Sequence, residues 1–494
     1  MKSHFLKVVG YGKPSLLIAV LTATLMIGGC AMIKTDSPAL PQIDEHQIRL
    51  AEDIRLATEA WPQAQWWHRY GDAQLNALIE RALKEAPIMA VAQQRLEASK
   101  AQTAYSVSTT GLLVGFSASL NRQDLSENGF LGPFAHTIPA QGLTGPWYTE
   151  GTMGFSAEYT FDLWGKDRAK VDAALGVQRA HQAETAEVAL TLSSKVALTY
   201  YDMQSIYAAL NLLEQARDLE NNMVAAHLAR AETGIEARTP TEMVRVHQLG
   251  LEQQISAAHS KITILKESLR ALTGAGPDNF PEIKPVPLPS DSGALPPTLG
   301  YELLARRPDL QAARWYVQAS LSQVDMAKAA FYPSFDIKAF FGLDSLHLAD
   351  LLHRSSTQFN LIPGLSLPIF DGGRLNAALA NSRHQSNTLI AQYNQAVVNA
   401  VQEVASNGIV LVDLDQQVQL QNARLIAISY KMESAKAHRE RGLVDDIVVF
   451  ESTLPVLEEQ ARLIELHNRQ LTASINLSRA LGGGFIQVDT NTSP

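Results

Sequence analysis

The stretch Phe370-Asp371-Gly372-Gly373-Arg374 decides the architecture of this chain, because it recurs earlier as Phe161-Asp162-Leu163-Trp164-Gly165-Lys166. Further matches follow in the same order in both halves: Pro87 with Pro308, Gly234 with Gly442, and Arg-Ala-Leu-Thr-Gly at 270–274 with Arg-Ala-Leu-Gly-Gly at 479–483. Isolated matches arise by chance, but collinear ones rarely do. The sequence therefore predicts an internal duplication. The first copy also carries extra residues, which fit a Gly/Pro-rich loop from Asn128 to Pro146.

Each copy is predicted to contain a helix, two strands, a very long helix, a glycine-containing break and a further helix. Proline is absent from Trp147 to Thr239 and from Asp371 to Leu454. Helices over about 166–232 and 374–440 would each be roughly 100 Å long at ~1.5 Å per residue. The second contains a heptad seam that tolerates Gly, Asp and Asn: Val397, Val401, Val404, Gly408, Leu411, Asp415, Val418, Asn422 and Leu425. A long cytosolic coiled coil is the alternative, but the signal segment and the strands disfavour it.

Alternation of apolar residues with small or polar ones predicts strands over 112–121, 152–161, 335–342 and 359–369. One apolar face suits a barrel wall between lipid and water, and about ten residues is the length of a tilted membrane strand. Half-buried strands of a soluble sheet are the alternative. Four strands cannot close a membrane barrel, and open edges are not tolerated in lipid, so a membrane protein would have to oligomerise. Two chains would give a filled eight-stranded barrel and three a twelve-stranded one with a lumen; the sequence alone does not choose.

The N-terminus has the organisation of a secretory signal. Lys2, Lys7 and Lys13 precede the uncharged run from Ser15 to Ile27, which is too short to span a membrane. The chain's one cysteine ends Ile27-Gly28-Gly29-Cys30, which resembles a bacterial lipobox, so we predict cleavage before Cys30 and lipidation of its thiol. An ordinary signal peptide with a chance cysteine is the alternative. By the same resemblance, Ala31 rather than Asp after the cysteine favours the outer membrane. A single lipid chain anchors weakly and needs a second membrane signal.

These features divide the chain into six segments. They are a signal peptide (1–29), a lipidated N-terminal segment (30–73), a first repeat (74–275), a Pro-rich linker (276–299), a second repeat (300–483) and a C-terminal tail (484–494).

Composition and motifs exclude several functions. The formal net charge of −9 and the lack of a basic stripe do not suggest nucleic-acid binding. No phosphate loop, zinc-protease or nucleophile-elbow motif occurs, so we predict neither an enzyme nor a cofactor. His347 and His353 lie near Asp344 and Asp350 without metal-ligand spacing, so no metal site is expected. The aromatic group Trp61, Trp66, Trp67 and Tyr70 is interpreted as packing of the N-terminal segment, with an interfacial belt as the alternative.

Four motifs resemble TolC-like outer-membrane factors of the lipoprotein (NodT/OprM-like) branch: Trp66-Trp67…Asp72…Leu78-Ile79, Leu303-Leu304 with Arg306-Arg307-Pro308-Asp309, Ala327…Phe331…Pro333, and Leu367-Pro368-Ile369-Phe370-Asp371-Gly372-Gly373-Arg374. The resemblance covers nearly all of the mature chain. It implies a mainly α-helical fold with a membrane β-barrel portion: a homotrimer whose twelve-stranded barrel continues into a helical periplasmic tunnel. It also implies the passive exit duct of a tripartite efflux pump, docked to a periplasmic adaptor and an inner-membrane transporter. A type I polypeptide secretion channel uses the same architecture and is the alternative. An enzyme on a lipid anchor is disfavoured by the missing motifs.

The resemblance also implies roles for the two glycine breaks. Gly234 with Arg230, and Gly442 with Arg439, would form the tips that contact the adaptor. His438 departs from the family pattern by standing where an arginine is common.

An acid is common nine residues after the second tip glycine, where three copies would ring a closed aperture; here that residue is Glu451. Asp445 and Asp446 are the rivals for this role. N-capping of the last helix is the other interpretation of these aspartates, and we favour it for Asp446. For Glu451 the alternative is a solvated helix face. Pro455 is expected to kink that helix or to cost about 3 kcal/mol.

Overall fold

The computed structural model describes residues 33, 36–43, 64–124, 126, 128–129, 147–289 and 307–484. The predicted signal segment, the lipidation site Cys30, Trp61 and most of the loop between Asn128 and Pro146 lie outside these ranges, as do the last ten residues.

The described residues show the duplicated order of elements. The first copy contains α1 (Ala73–Glu85), α2 (Pro87–Ser108), β1 (Leu113–Asp124), β2 (Trp147–Phe161), α3 (Lys166–Glu232) and α4 (Thr239–Thr273). The second contains α5 (Pro308–Ala329), β3 (Ser334–Ser345), β4 (Thr357–Ser366), α6 (Arg374–Glu440) and α7 (Asp446–Ala480). The two long helices, α3 and α6, have 67 residues each and the predicted bounds, so that prediction is confirmed.

The repeated Phe-Asp motif starts both long helices. Asp162 accepts hydrogen bonds from the backbone N–H groups of Asp167 and Arg168 at 3.1 and 2.9 Å. Asp371 accepts from Gly373 and Leu375 at 3.0 and 2.7 Å, and the hydrogen bond from Leu375 lowers the pKa of that carboxyl. Each aspartate thus satisfies N–H groups that a helix leaves free at its first turn. The adjoining glycines turn the chain through the left-handed region, as at Gly165 with φ of 75°.

The chain divides into two compact units, and the first contains the sheet. The four strands pair antiparallel in the order β1-β2-β3-β4. The predicted strands are all present, with shifted ends: β2 begins at Trp147, and β4 ends at Ser366 rather than Ile369. Pro368, which has no N–H for a ladder, lies just beyond that end.

The strand register places the predicted apolar residues on one face. Phe116 lies opposite Phe155, Phe155 opposite Phe341, and Phe341 opposite Phe359. We call these four side chains the phenylalanine row. On the other face Gly154 lies opposite Gly342, where an added Cβ on Gly154 would be 2.6 Å from the Gly342 Cα. Glycine is required at this close approach.

The second unit is helical, and its largest core cluster is built on the N-terminal aromatic group. Trp66 and Trp67 are 2% and 5% exposed and meet edge to face at 5.9 Å. Tyr70 packs edge to face on Tyr201 of α3 at 5.4 Å. The packing interpretation is therefore correct for Trp66, Trp67 and Tyr70, while Trp61 lies outside the described residues.

Asp72 joins the start of α1 to this core. Its carboxylate caps α1 by accepting from the Gln74 and Leu75 N–H groups and also accepts from the Tyr200 hydroxyl at 2.7 Å. Burial, with the Asp72 carboxylate second, raises the pKa of Tyr200. This aspartate therefore has a structural role.

The heptad seam of α6 is present, but it is shifted by one residue at three of the nine predicted positions. Val397, Val404 and Leu411 are buried as predicted. Gly408 is buried as predicted too, whereas the other buried seam residues are Ala400, Leu414 and Gln421, each one residue before the predicted Val401, Asp415 and Asn422. Gln421 is buried because its amide donates to the carboxylate and the carbonyl of Glu459. A polar pair thus fixes this part of the seam, which apolar periodicity did not reveal.

One described helix, α6, contains an 18-residue window apolar enough to cross a membrane by length and composition, and a third of that window is buried.

Candidate functional site

The first turn between long helices follows α3. Gly234 adopts φ of 76°, the Ile235 N–H donates to the Arg230 carbonyl at 2.9 Å, and the Gly234 N–H donates to Ala231 at 3.1 Å. This is the hydrogen-bond pattern of a glycine-terminated helix. The Glu236 carboxylate lies 2.9 Å from His227 Nδ1 and 3.6 Å from Arg230 Nε, so side-chain charges also hold the turn.

The second turn repeats this geometry after α6. Gly442 has φ of 71°, and the Leu443 N–H donates to the His438 carbonyl at 2.9 Å. His438 thus contributes its carbonyl to the turn. Arg439 forms two hydrogen bonds with the Asp446 carboxylate, at 2.7 and 3.0 Å, and these lower the pKa of Asp446.

Asp445, rather than Asp446, is the N-cap of α7. Its backbone is extended and its carboxylate accepts from the Val448 N–H at 3.2 Å. The capping interpretation we favoured for Asp446 is therefore wrong. Asp446 is already the first helical residue, where its carboxylate is held by Arg439.

The two turns are joined within one chain. Arg230 Nη1 donates to Asp445 Oδ2 at 2.8 Å. Of the residues predicted at the tips, the structure thus brings Arg230, Gly234, Arg439, Gly442, Asp445 and Asp446 into one connected cluster. In the sequence, the only sign of this cluster was that an arginine precedes each glycine by three or four residues: Arg230 before Gly234 and Arg439 before Gly442.

Glu451 lies further along α7, where it is exposed. The helix continues through Pro455, which lies in its interior as the sequence predicted. Proline has no N–H, so the Glu451 carbonyl lacks its usual helical donor four residues on. Glu451 does not belong to the cluster at the turns.

The sheet exposes an apolar face. The phenylalanine row (Phe116, Phe155, Phe341 and Phe359) has exposed fractions of 58, 57, 57 and 65%. The residues of β1 are exposed on both faces apart from Gln123, which is half-buried. Among the described residues, β1 and β4 are the two edge strands of the sheet. A soluble protein rarely leaves such a surface and two open edges unpaired.

Residues 36–43 form an N-terminal strap that is bound to α6, and the sequence analysis did not predict it. Arg383 on α6 is 7% exposed and donates to both oxygens of Asp36 at 2.9 and 2.7 Å, and the Arg383 hydrogen bonds lower the pKa of Asp36. Lys328 Nζ is 3.4 Å from the same carboxylate. The spacing of Arg383, Asn387 and Asn394 places these polar side chains along one helix, which was a signal that they bind another segment. The sequence of the strap itself has no periodicity that would identify it as that segment.

Two asparagine amides continue the strap. Asn387 accepts from the Leu40 N–H at 2.9 Å and donates to the Pro38 carbonyl at 3.2 Å. Asn394 accepts from the Ile43 N–H at 2.9 Å and donates to the Pro41 carbonyl at 3.0 Å. Each amide therefore satisfies one backbone donor and one acceptor of the strap.

The Arg-Arg-Pro-Asp motif supplies a buried charge network. Arg307 is 7% exposed and bonds to Asp309, to Glu403 at 2.9 Å and to the Ala480 carbonyl at 2.8 Å. Burial opposes the charge of Arg307, but the Asp309 and Glu403 carboxylates outweigh it and raise its pKa. Nearby, burial and then the charge of Asp309 raise the pKa of Glu187 to about 7.

His347 and His353, considered in the sequence as metal ligands, lie near acidic residues in the structure. His353 Nδ1 lies 3.3 Å from Asp350 Oδ1, an ordinary exposed pair. Within the described ranges, no group of three or more His, Cys, Asp or Glu side chains is arranged to hold a metal ion.

The long paired helices, the open sheet and its exposed aromatic face define a subunit of an outer-membrane channel. The chain belongs to the outer membrane efflux protein family, whose model matches residues 78–275 and 299–483. It is 49% identical over 470 residues to the multidrug resistance outer membrane protein MdtP of Escherichia coli O6:H1, covering 95% of this chain and 96% of that protein. It is 40% identical over 476 residues to MdtQ of Escherichia coli O157:H7, covering 95% and 98%.

Solved structures agree with this assignment. The outer membrane protein VceC of Vibrio cholerae has a TM-score of 0.75 and 30% identity, covering 86% of this chain and all of that one. The CmeC channel of Campylobacter jejuni has a TM-score of 0.78 at 20% identity, which shows the fold, and covers 92% and 95%. The predicted fold class, a mainly α-helical chain with a membrane β-barrel portion, is confirmed. The protein is an outer-membrane efflux channel component.

Proposed function

We propose that three copies of this chain form a passive, lipid-anchored exit duct for small molecules, joined by a periplasmic adaptor to an inner-membrane transporter. The observation that carries this proposal is the four-stranded sheet, whose two edges are unpaired in the part of the chain that the structure describes and whose apolar face is exposed. Such a sheet is stable in lipid only when other strands close it.

The closure argument favours three copies. Eight strands from two chains would enclose an interior that side chains fill, whereas twelve strands leave a lumen for transport. In native mass spectrometry the detergent-solubilised protein is expected as three copies of the mature chain. A stable monomer with an intact sheet would contradict the proposal.

The phenylalanine row supports an orientation for the sheet. Lipid favours apolar side chains on the outer wall of a barrel, and small or polar ones face the lumen. We therefore assign the row to lipid and the paired Gly154 and Gly342 to the lumen.

Lipidation of Cys30 supplies the second membrane attachment. Asp36 of the strap is six residues after Cys30, a span of at most about 20 Å for extended chain. The strap would therefore tie the anchor to the body of the protein. Mass spectrometry of the mature N-terminus is expected to show a lipid-modified cysteine, and a free thiol there or a different first residue would contradict this assignment.

The turns at Gly234 and Gly442 are proposed as the adaptor-contacting tips, with Arg230 and Arg439 as the charged side chains that shape them. We place the closed aperture at Glu451, with Asp445 and Asp446 as rivals. Their engagement by Arg230 and Arg439 favours a structural role for the two aspartates.

The same segments predicted from sequence are proposed as the domain organisation: a signal peptide (1–29), a lipidated segment (30–73), the repeats 74–275 and 300–483 around the linker 276–299, and the tail 484–494.

The names of the two relatives support small-molecule efflux over polypeptide secretion. Deletion of the gene is expected to raise drug accumulation only in cells that contain the cognate transporter. ATP hydrolysis by the purified protein alone would contradict a passive role, and so would unchanged accumulation in cells with an active transporter.

A further inference from the structure

A groove of about 940 Å³ lies between α3, α4 and α7 of the helical unit. Its walls are largely apolar and include two methionines: Leu213, Met223, Met243, Leu251, Leu454 and Leu457. Methionine is flexible and polarisable, so such walls adapt to ligands of different shape.

One carboxylate oxygen in the groove wall lacks a hydrogen-bond partner among the described residues. Glu220 of α3 is only 5% exposed, and its Oε2 is buried without a hydrogen-bond partner among the described residues. A buried polar group that makes no hydrogen bond is costly, more so when it is charged. Burial raises the pKa of Glu220, while the charge of His247 opposes this.

A neighbouring acid shows how this fold satisfies a buried carboxylate. Glu459 of α7 is 9% exposed and accepts from Gln421 at 2.7 Å, Arg424 at 2.7 Å and Arg462 at 3.2 Å. Glu220 has no comparable set of donors in the part of the chain that the structure describes. The difference indicates that the missing donor or cation comes from outside the chain.

The rest of the groove has an acidic character. Glu451 and Glu458 line it from α7, and Arg462 is the only lysine or arginine among its described lining residues. Arg462 is already 3.2 Å from Glu459, and the Glu451 carbonyl lacks its helical donor because of Pro455. A positive ligand therefore meets several acceptors.

We propose that this groove binds a lipophilic organic cation, with its charge beside Glu220 and its apolar body against the methionine and leucine walls. The positive charge of the ligand supplies the partner that Glu220 lacks, and the apolar body of the ligand is removed from water. Glu451, where the closed aperture is proposed, also lines this groove, so the inference rests on the proposed function and adds a ligand class to it.

The test uses two ions of nearly the same shape and opposite charge, tetraphenylphosphonium and tetraphenylborate. Equilibrium dialysis with the full-length protein in a neutral detergent, against detergent alone, should show saturable binding of the phosphonium ion. The borate ion should bind at least about tenfold more weakly, because it meets acidic groups. Equal binding of the two ions would overturn the proposal.

Variants locate the site. Glu220→Gln keeps the shape of the side chain and should weaken phosphonium binding by about tenfold or more. Glu252→Gln is the matched control, because Glu252 is an exposed acid of α4 outside the groove lining. Binding that is unchanged by Glu220→Gln, or equally weakened by Glu252→Gln, would overturn the assignment.

A second pair of variants does not depend on the charge of Glu220. A Cβ placed on Gly250, in the wall formed by α4, meets no atom within 4 Å. Gly250→Trp should therefore fill the groove and abolish saturable binding, whereas Gly250→Ala should retain it. Retained binding in Gly250→Trp would overturn the proposal even if Glu220→Gln failed to assemble, and drug accumulation in cells would still test the efflux function separately.

Discussion

Arg230, in the last turn of the first long helix, donates a 2.8 Å hydrogen bond to Asp445, the residue that caps the last helix. Asp445 uses one oxygen for this arginine and the other for the Val448 N–H. A single carboxylate thus joins the two repeats at their turns and starts α7. Arg230 and Asp445 are about half exposed, so the pair contributes modestly to stability and mainly fixes the relative position of the two turns.

Arg230→Ala is expected to release the two turns from each other and to raise the conductance of the protein in planar bilayers. The loss of the ion pair costs little overall stability, because the pair is exposed. Arg245→Ala, an exposed arginine of α4, is the matched control and should leave conductance unchanged. Equal conductance of both variants and the unchanged protein would show that this pair does not hold the aperture closed.

Glu451→Ala tests the position of the aperture. Three acids on one axis would attract cations, so removing them should weaken block by multivalent cations or raise conductance. Asp445→Ala is the comparison. If Asp445→Ala changes conductance or block and Glu451→Ala changes neither, the aperture lies at the turn instead.

The two long helices and the four strands were predictable because their signals are local. Long stretches without proline predicted α3 and α6. The alternation of apolar residues with small or polar ones predicted the face of the sheet on which Phe155 and Phe341 lie. The duplication then placed the tip glycines in both halves.

Contacts between distant residues were not predictable. The cap of α7 was assigned to Asp446, because capping depends on backbone conformation and both aspartates fit the spacing. Gln421 in the α6 seam and Asp36 against Arg383 depend on partners 38 and 347 residues away. A polar side chain becomes buried only where such a partner exists, and no local pattern shows it.

Phe341→Arg is expected to impair assembly in the membrane. Phe341 lies in the middle of the phenylalanine row, and an arginine facing lipid costs about 2–4 kcal/mol at the centre of the bilayer. Ser117→Arg on the opposite face of β1 is the control, since a charge there would face the lumen. The amount of heat-modifiable oligomer on gels measures the effect. Loss of oligomer in Ser117→Arg alone would reverse the assignment of the two faces.

Glu187→Gln tests the pH dependence of stability. The native pKa of Glu187 is about 7 against an ordinary value of 4.5, so the folded protein holds this proton more tightly. The free energy of unfolding should therefore fall by at most about 3 kcal/mol as pH rises from about 4.5 to about 7, and it should then level off. Glutamine mimics the protonated side chain and should raise the thermal midpoint at pH 8 while flattening this decline. Glu214→Gln on the same helix is the control, and an identical pH profile in Glu187→Gln would exclude this carboxyl as the cause.

The N-terminal strap is tested by hydrogen exchange of its backbone. Arg383 donates to both oxygens of Asp36 from a site that is 7% exposed, so Arg383→Ala removes the main charged attachment. The Leu40 N–H, which donates to Asn387, should then exchange about tenfold faster or more, as expected when an interaction of roughly 1.4 kcal/mol is lost.

Arg383→Lys separates charge from geometry. Lysine keeps the positive charge but cannot donate from two nitrogens in a fixed fork, so it should restore protection of the Leu40 N–H only in part. Asn394→Ala is the matched comparison, because it removes the acceptor of the Ile43 N–H and leaves the Asp36 attachment intact. It should speed exchange at Ile43 while Leu40 stays protected. If Arg383→Ala leaves exchange at Leu40 unchanged, the asparagine amides hold the strap without the ion pair, and Arg383 serves only to neutralise Asp36.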